Sequence, residues 1–145
     1  MTDISGQCLC GAVTVTATIN TGERPAIVRA CHCDMCRRQT SSMFMSLATD
    51  PGTLKIEGPE KIYRSSEWAQ RGFCEVCGST LWYGTLHDGV KNIAAGLFDN
   101  AAGAPLKLEF YSDMVPEGYA LAGDHRRLTT QDAIALFAPQ EGDNS

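Results

Sequence analysis

Cys31, Cys33 and Cys36 fall within six positions of one another, and Arg37 and Arg38 follow at once. Four thiolates close a tetrahedral zinc shell. Three leave one coordination position for water, a carbonyl oxygen or an incoming thiolate, which is the arrangement catalytic zinc requires. The other four cysteines form two pairs, Cys8-Leu9-Cys10 and Cys74-Glu75-Val76-Cys77. Each pair is followed by a glycine, Gly11 and Gly78, able to take the positive φ that tight turns around a metal often need. Side chains two apart on a strand share a face, so Cys8 with Cys10, and Cys31 with Cys33, can each reach one ion. A C-x-x-C unit instead suits a turn whose two ends converge.

Spacing alone leaves two partitions of the seven thiols. One joins Cys8 and Cys10 to Cys74 and Cys77 as a closed site and leaves Cys31, Cys33 and Cys36 as an open one. The other joins Cys33 and Cys36 to Cys74 and Cys77 and scatters the remaining three. The stretch between Cys36 and Cys74 is much wider than the roughly 15–20 residues usual between ribbon-type pairs, which favours the first. His32, Asp34, His87 or His125 would make the open site purely structural by completing its shell; His32 lies between two cysteines of an expected strand and should point away from their ion. A thioredoxin-like redox pair at Cys33 and Cys36 lacks the surrounding βαβ pattern, and haem attachment would need the histidine after the second cysteine.

The elements that must position these thiols are mostly strands. In residues 12–19, Val13, Val15, Ala17 and Ile19 alternate with Thr14, Thr16 and Thr18, the period-two signature of a half-buried strand. Further strands are expected at about 26–31, 43–48, 53–57, 61–65, 68–73, 80–84, 92–97 and 106–111, divided by turn signals such as Asp50-Pro51-Gly52 and His87-Asp88-Gly89. One short helix is expected near the end, where Thr129 and Asp132 resemble a capping pair and Ala133, Leu136 and Phe137 form an apolar stripe suited to core packing. The fold class is therefore mainly β. A chain of 145 residues with 43% hydrophobic content fits a single zinc-binding domain over residues 1–139, with residues 140–145 expected to be a disordered tail.

Composition narrows the partners. The net charge of −5 grows more negative once thiols ionise to bind metal, which argues against general nucleic-acid binding. No stretch approaches the roughly 20 apolar residues that span a bilayer, and the first thirty residues do not pair a basic start with an apolar run, so a soluble, cytoplasmic protein is expected. In that reducing compartment, metal binding is the better use of cysteine than disulfides. Arg29, Arg37, Arg38, Arg64 and Arg71 flank the cysteine segments either as a solvated face that offsets thiolate charge or as a rim that binds carboxylates.

The order C-x-C-G-x-V at residues 8–13, C-H-C-x-x-C-R-R at 31–38 and KIYRSSEWAQRGFCEVCGSTLWY at 61–83 resembles the glutathione-dependent formaldehyde-activating enzyme family, which includes centromere protein V and has the Mss4-like fold. The resemblance covers roughly residues 5 to 110. It implies twisted antiparallel sheets organised around zinc sites. It further implies two zinc ions per chain: a structural one on Cys8, Cys10, Cys74 and Cys77, and a catalytic one on Cys31, Cys33 and Cys36. The chemistry it implies is that of a carbon–sulfur lyase or synthase acting on a small thiol adduct, as in making S-(hydroxymethyl)glutathione from formaldehyde and glutathione. Arg37, Arg38 and Arg71 are then candidates to hold substrate carboxylates, with Gln39, Ser41 and Ser42 as polar contacts. Family members often carry a glycine after the C-x-x-C-R segment, whereas this chain runs Thr40-Ser41-Ser42-Met43-Phe44, so a different backbone turn is expected there. The rival function is a non-catalytic, zinc-stabilised module that binds a protein partner, since a fold does not guarantee catalysis. Neither the natural thiol nor the oligomeric state is legible in the sequence.

Overall fold

The computed structural model describes residues 1–137. Its strands and helices run, in chain order, β1 (Thr2–Gln7), β2 (Thr14–Ile19), β3 (Val28–Cys31), α1 (Asp34–Thr40), β4 (Phe44–Ala48), β5 (Lys55–Glu57), β6 (Glu60–Arg64), β7 (Ala69–Cys74), β8 (Thr80–Thr85), β9 (Lys91–Ala94), β10 (Leu106–Phe110), β11 (Arg126–Leu128) and α2 (Thr130–Phe137). The fold is mainly β, as expected. The expected tail at 140–145 lies outside the described residues. Among the described residues no helix is long and apolar enough to cross a membrane. The chain divides into two compact units, one made of Met1–Val28 with Met45–Pro105, the other of Arg29–Phe44 with the chain from Leu106 onward.

In the first unit, β2 lies between β1 and β5, antiparallel to both. Val13, Val15, Ala17 and Ile19 are buried while Thr14 and Thr16 face out, so the alternation read from sequence is the alternation of burial. Each branched aliphatic side chain so placed contributes roughly 1.5–3 kcal/mol. The same unit holds β4, β9, β8, β7 and β6 as successive antiparallel neighbours. Trp82 on β8, fully buried, stands opposite Gly72 on β7. A Cβ at Gly72 would come within 2.2 Å of the indole nitrogen, so only glycine leaves room for the ring against the neighbouring strand. The register shifts just after Gly72, and β7 then ends at Cys74.

In the second unit, β10 runs between β3 and β11 and pairs with β11 in parallel, Glu109 opposite Arg127. Phe110, Leu128 and Ala133 form its apolar cluster, with Cys31, Leu108 and Tyr111 packed against them. The expected cap of α2 is present: Asp132 N–H donates to Thr129 Oγ1 at 3.3 Å, and Thr129 N–H donates to Asp132 Oδ2 at 3.1 Å. Asp113 Oδ1 also accepts from the Thr130 N–H at 2.6 Å and its hydroxyl at 2.9 Å. The apolar stripe is narrower than expected. Ala133 is fully buried, but Leu136 is 61% exposed, and the side chain of Phe137 lies outside the described ones.

Several expectations are corrected. Among the described residues a second helix, α1, joins the expected C-terminal one and occupies residues read as a tight turn. Cys8 and Cys10 lie beyond the end of β1, in a turn rather than on a strand. The strand expected at 92–97 stops at Ala94 and gives way to a single 3-10 turn, Ala95–Leu97. Strands β1 and β11 had no reading in the sequence.

Candidate metal centres

In the first unit two loops meet. Cys8 and Gly11 close one turn, through Gly11 N–H donating to the Cys8 carbonyl at 3.1 Å and Cys8 N–H donating to the Val13 carbonyl at 3.0 Å. Cys74 and Gly78 close the other, through Gly78 N–H to the Cys74 carbonyl and Cys74 N–H to the Ser79 carbonyl, both at 2.9 Å. Gly11 and Gly78 both take φ of +79°, the conformation their sequence positions called for. Leu9 N–H donates to Ser79 Oγ at 3.0 Å and ties the two loops together.

The result is a cluster of Cys8, Cys10, Cys74 and Cys77 whose sulfurs all lie within 4.8 Å of one another. Cys8 and Cys10 sulfurs are 3.6 Å apart, and Cys10 and Cys74 sulfurs 3.8 Å. Sulfurs at the corners of a tetrahedron around zinc, with bonds of about 2.3 Å, would be about 3.8 Å apart, so the donor set fits that ion. Main-chain N–H groups point at the sulfurs as well, from Val13 to Cys8 at 3.3 Å and from Ala12 to Cys10 at 3.5 Å. Cys77 is drawn down to about 5, chiefly by the Ser79 hydroxyl at 3.1 Å and the Ser79 N–H. Cys10 is pushed up to about 12: the Ala12 N–H favours its thiolate, but desolvation and the neighbouring Cys8, Cys77 and Cys74 outweigh that. Four thiols in so small a volume do not share negative charge without a cation to neutralise it.

The second unit holds the other cluster, Cys31, Cys33 and Cys36, again with all sulfurs within 4.8 Å of one another. Cys31 ends β3. Cys33 has extended backbone and caps α1, its sulfur accepting the Cys36 N–H at 3.4 Å, the role usually given to serine or aspartate. Cys36 is buried in the first turn of that helix. The thiol of Cys31 is pushed far up, first by Cys33, then by Cys36 and by burial. This set also suits a thiophilic cation, with three donors rather than four.

The residues considered for a fourth ligand are engaged elsewhere. Asp34 Oδ1 accepts from Arg37 at 3.1 Å. His87 belongs to the first unit and stands 3.5 Å from Asp88. His32 Nε2 is 2.7 Å from Glu109 Oε1 and is not among the donors that cluster with the flanking cysteines, and His125 Nε2 contacts Glu109 Oε2. Arg127 Nε, 3.1 Å from the same Oε2, completes a hub around one buried carboxylate. Burial alone would raise the pKa of Glu109, but hydrogen bonds from His125 and His32 and their charge hold it below the usual carboxylate range. Sequence reading turned His32 away from the metal but did not see Glu109; the only signal available was a glutamate inside the apolar run Leu106-Lys107-Leu108-Glu109-Phe110.

Of the proposed substrate contacts, Arg37, Arg38, Gln39 and Ser42 lie with this cluster in the second unit. Arg37 pairs with Asp34 and is half-buried, while Arg38 is exposed and forms no ion pair among the described residues. Ser41 caps α1 with φ of +72°, a left-handed conformation that glycine favours. Arg71 belongs to the first unit, on β7, buried with its guanidinium 5.0 Å from the centre of the Tyr83 ring. A cavity of about 270 Å³ in that unit, lined by Thr49, Leu54, Ile56, Glu60, Val90 and Lys91 among others, contains no sulfur and takes no part in either cluster.

The family model described as glutathione-dependent formaldehyde-activating enzyme matches residues 3–113, which include all seven cysteines. An uncharacterized lyase of Schizosaccharomyces pombe is 32% identical over 139 residues, covering 92% of this chain and 96% of that protein. A Rhodobacter sphaeroides protein of known crystal structure shares the fold, with a TM-score of 0.55 at 18% identity, over 72% of this chain and all of that one.

Proposed function

The chain belongs to the glutathione-dependent formaldehyde-activating enzyme family, and from that premise we propose that it is a zinc-dependent carbon–sulfur lyase or synthase joining a small thiol to an aldehyde. Glutathione and formaldehyde are the substrates proposed, in a cytoplasmic, single-domain protein whose thiols stay reduced. Cys8, Cys10, Cys74 and Cys77 would hold a structural zinc, and Cys31, Cys33 and Cys36 a catalytic one. The observation that carries the reading is the difference in donor number: four sulfurs in one cluster, three in the other, with the nearby carboxylate and imidazoles committed to other partners.

Zinc held by Cys31, Cys33 and Cys36 would stabilise an added thiol as its thiolate at neutral pH through direct coordination. The chain's own residues do the rest. Cys33 joins the end of β3 to the start of α1, so the three sulfurs are held by one short, hydrogen-bonded segment. Arg38, exposed and unpaired with any described carboxylate, holds a carboxylate of the thiol substrate; Arg37 is restrained by Asp34 and contributes less. Gln39 and Ser42 offer polar contacts beside it. In the synthetic direction the sulfur forms a bond to the aldehyde carbon, the carbonyl π pair moves onto oxygen, and the proton lost by the thiol ends on that oxygen, giving the hydroxymethyl thioether.

The test is formation of S-(hydroxymethyl)glutathione from ¹³C-formaldehyde and glutathione, followed by NMR exchange spectroscopy above the uncatalysed rate. Catalysis in the zinc-loaded protein, abolished by Cys36→Ser and weakened in KM about tenfold or more by Arg38→Ala, is the expected result. Wild type no faster than buffer would overturn the proposed substrates. Catalysis that survives Cys36→Ser would overturn the assignment of the site.

A further inference from the structure

The hub in the second unit is costly. Two imidazoles and a carboxylate, each side chain at most 3% exposed, occupy space that apolar residues could fill without desolvating a charge. It also spans all three strands of that unit. His32 follows β3 directly, Glu109 lies on β10, Arg127 lies on β11, and His125 immediately precedes β11. The main chain reinforces the same junction, since His32 N–H donates to the Phe110 carbonyl at 3.1 Å. His32 sits between Cys31 and Cys33, so a restraint on its ring is a restraint on the backbone that aims both sulfurs.

Resting on the reading that Cys31, Cys33 and Cys36 bind zinc, we propose that Glu109 is a positioning residue for that site: by gripping His32, the residue between two of the ligands, it fixes the direction in which Cys31 and Cys33 present their thiolates. Outer partners of this kind typically change metal affinity ten- to a hundredfold. Here the partner acts through the residue between two ligands rather than through a ligand itself. His125 and Arg127 hold the carboxylate in turn, one on the oxygen that His32 does not use and the other at 3.1 Å from that same oxygen.

The experiment uses the full-length, zinc-loaded chain and follows zinc release to a chromogenic chelator, with the ligand-field bands of the cobalt-substituted protein as a second readout. Glu109→Gln and His32→Leu are each expected to speed release of one zinc per chain about tenfold or more and to shift one set of cobalt bands, the second zinc being unaffected. His32→Gln, which keeps a donor near the position of Nε2, should restore most of the slow release. Asp113→Ala, which loosens α2 in the same unit without touching the hub, is the control for a merely structural effect, compared at equal distances below each variant's Tm. If Glu109→Gln behaves like Asp113→Ala, or speeds both zincs equally, the positioning role is wrong. If Glu109→Gln does not fold, His32→Leu against His32→Gln decides alone, and equal release rates for those two overturn the proposal. A wild type that binds only one zinc would instead remove the underlying metal assignment, a result visible in the zinc count before any variant is made.

Discussion

The two sulfur clusters are built from the same ligand on opposite plans. The one in the first unit gathers its donors from far apart, Cys10 and Cys74 being 64 residues distant in sequence, and surrounds them with hydrogen-bonded turns. The one in the second unit takes all its donors from a single six-residue stretch and is backed by a buried ionic hub. A metal in the first closes a long loop and so is coupled to folding. A metal in the second closes almost none. The lesson is that a site can be judged by what its removal would release: much chain in one case, one coordination position in the other.

The strongest way to break this comparison is to remove one donor from each cluster. Structural zinc contributes on the order of 10–16 kcal/mol in small peptides, comparable to the whole stability of a typical domain. Cys74→Ser is therefore expected to abolish cooperative folding, read by circular dichroism, while Cys33→Ser keeps the fold and loses about one of two zincs by elemental analysis. Equal collapse of both variants would erase the distinction drawn between the two units.

A smaller effect sharpens it through pH. The folded pKa of Glu109 lies below its unfolded value, so its contribution is fully present above the unfolded carboxylate pKa and is lost as pH falls through the folded one. The gap in Tm between wild type and Glu109→Gln should be full near pH 6 and close progressively below about pH 4.5. A gap independent of pH across that window would mean that the carboxylate charge is not what the hub uses.

The smallest effect lies at Ser41, where a residue with a side chain holds φ of +72°. Ser41→Gly should raise stability by up to about 1 kcal/mol, measured by denaturant titration, because glycine takes this conformation without the Cβ penalty. A loss of stability there would show that the serine side chain makes up for its strain.

How far the sequence could be read follows the same division. Apart from β1, the strands of the first unit were legible because their pattern is local: Val13, Val15, Ala17 and Ile19 alternate and are buried as they alternate. Grouping of the cysteines could be argued from spacing and turn glycines, and the structure brings the same seven together in the same two sets. The second unit was harder. Helix α1 is seven residues long, barely two turns, and its cap is a cysteine rather than a residue that announces a helix. Strand β11 has three residues and gains its partner from β10, a contact that no local pattern encodes. Glu109, His32 and His125 meet only because those strands do.

The account turns on whether the three-sulfur site has room for a substrate thiol, and zinc-edge X-ray absorption on the doubly loaded protein measures that directly. A four-sulfur and a three-sulfur site together average about 3.5 sulfur neighbours per zinc, and a bound thiolate raises the average to about 4. Saturating glutathione is predicted to produce that rise in wild type and not in Cys33→Ser. A sulfur count in wild type that does not move with glutathione would contradict the claim.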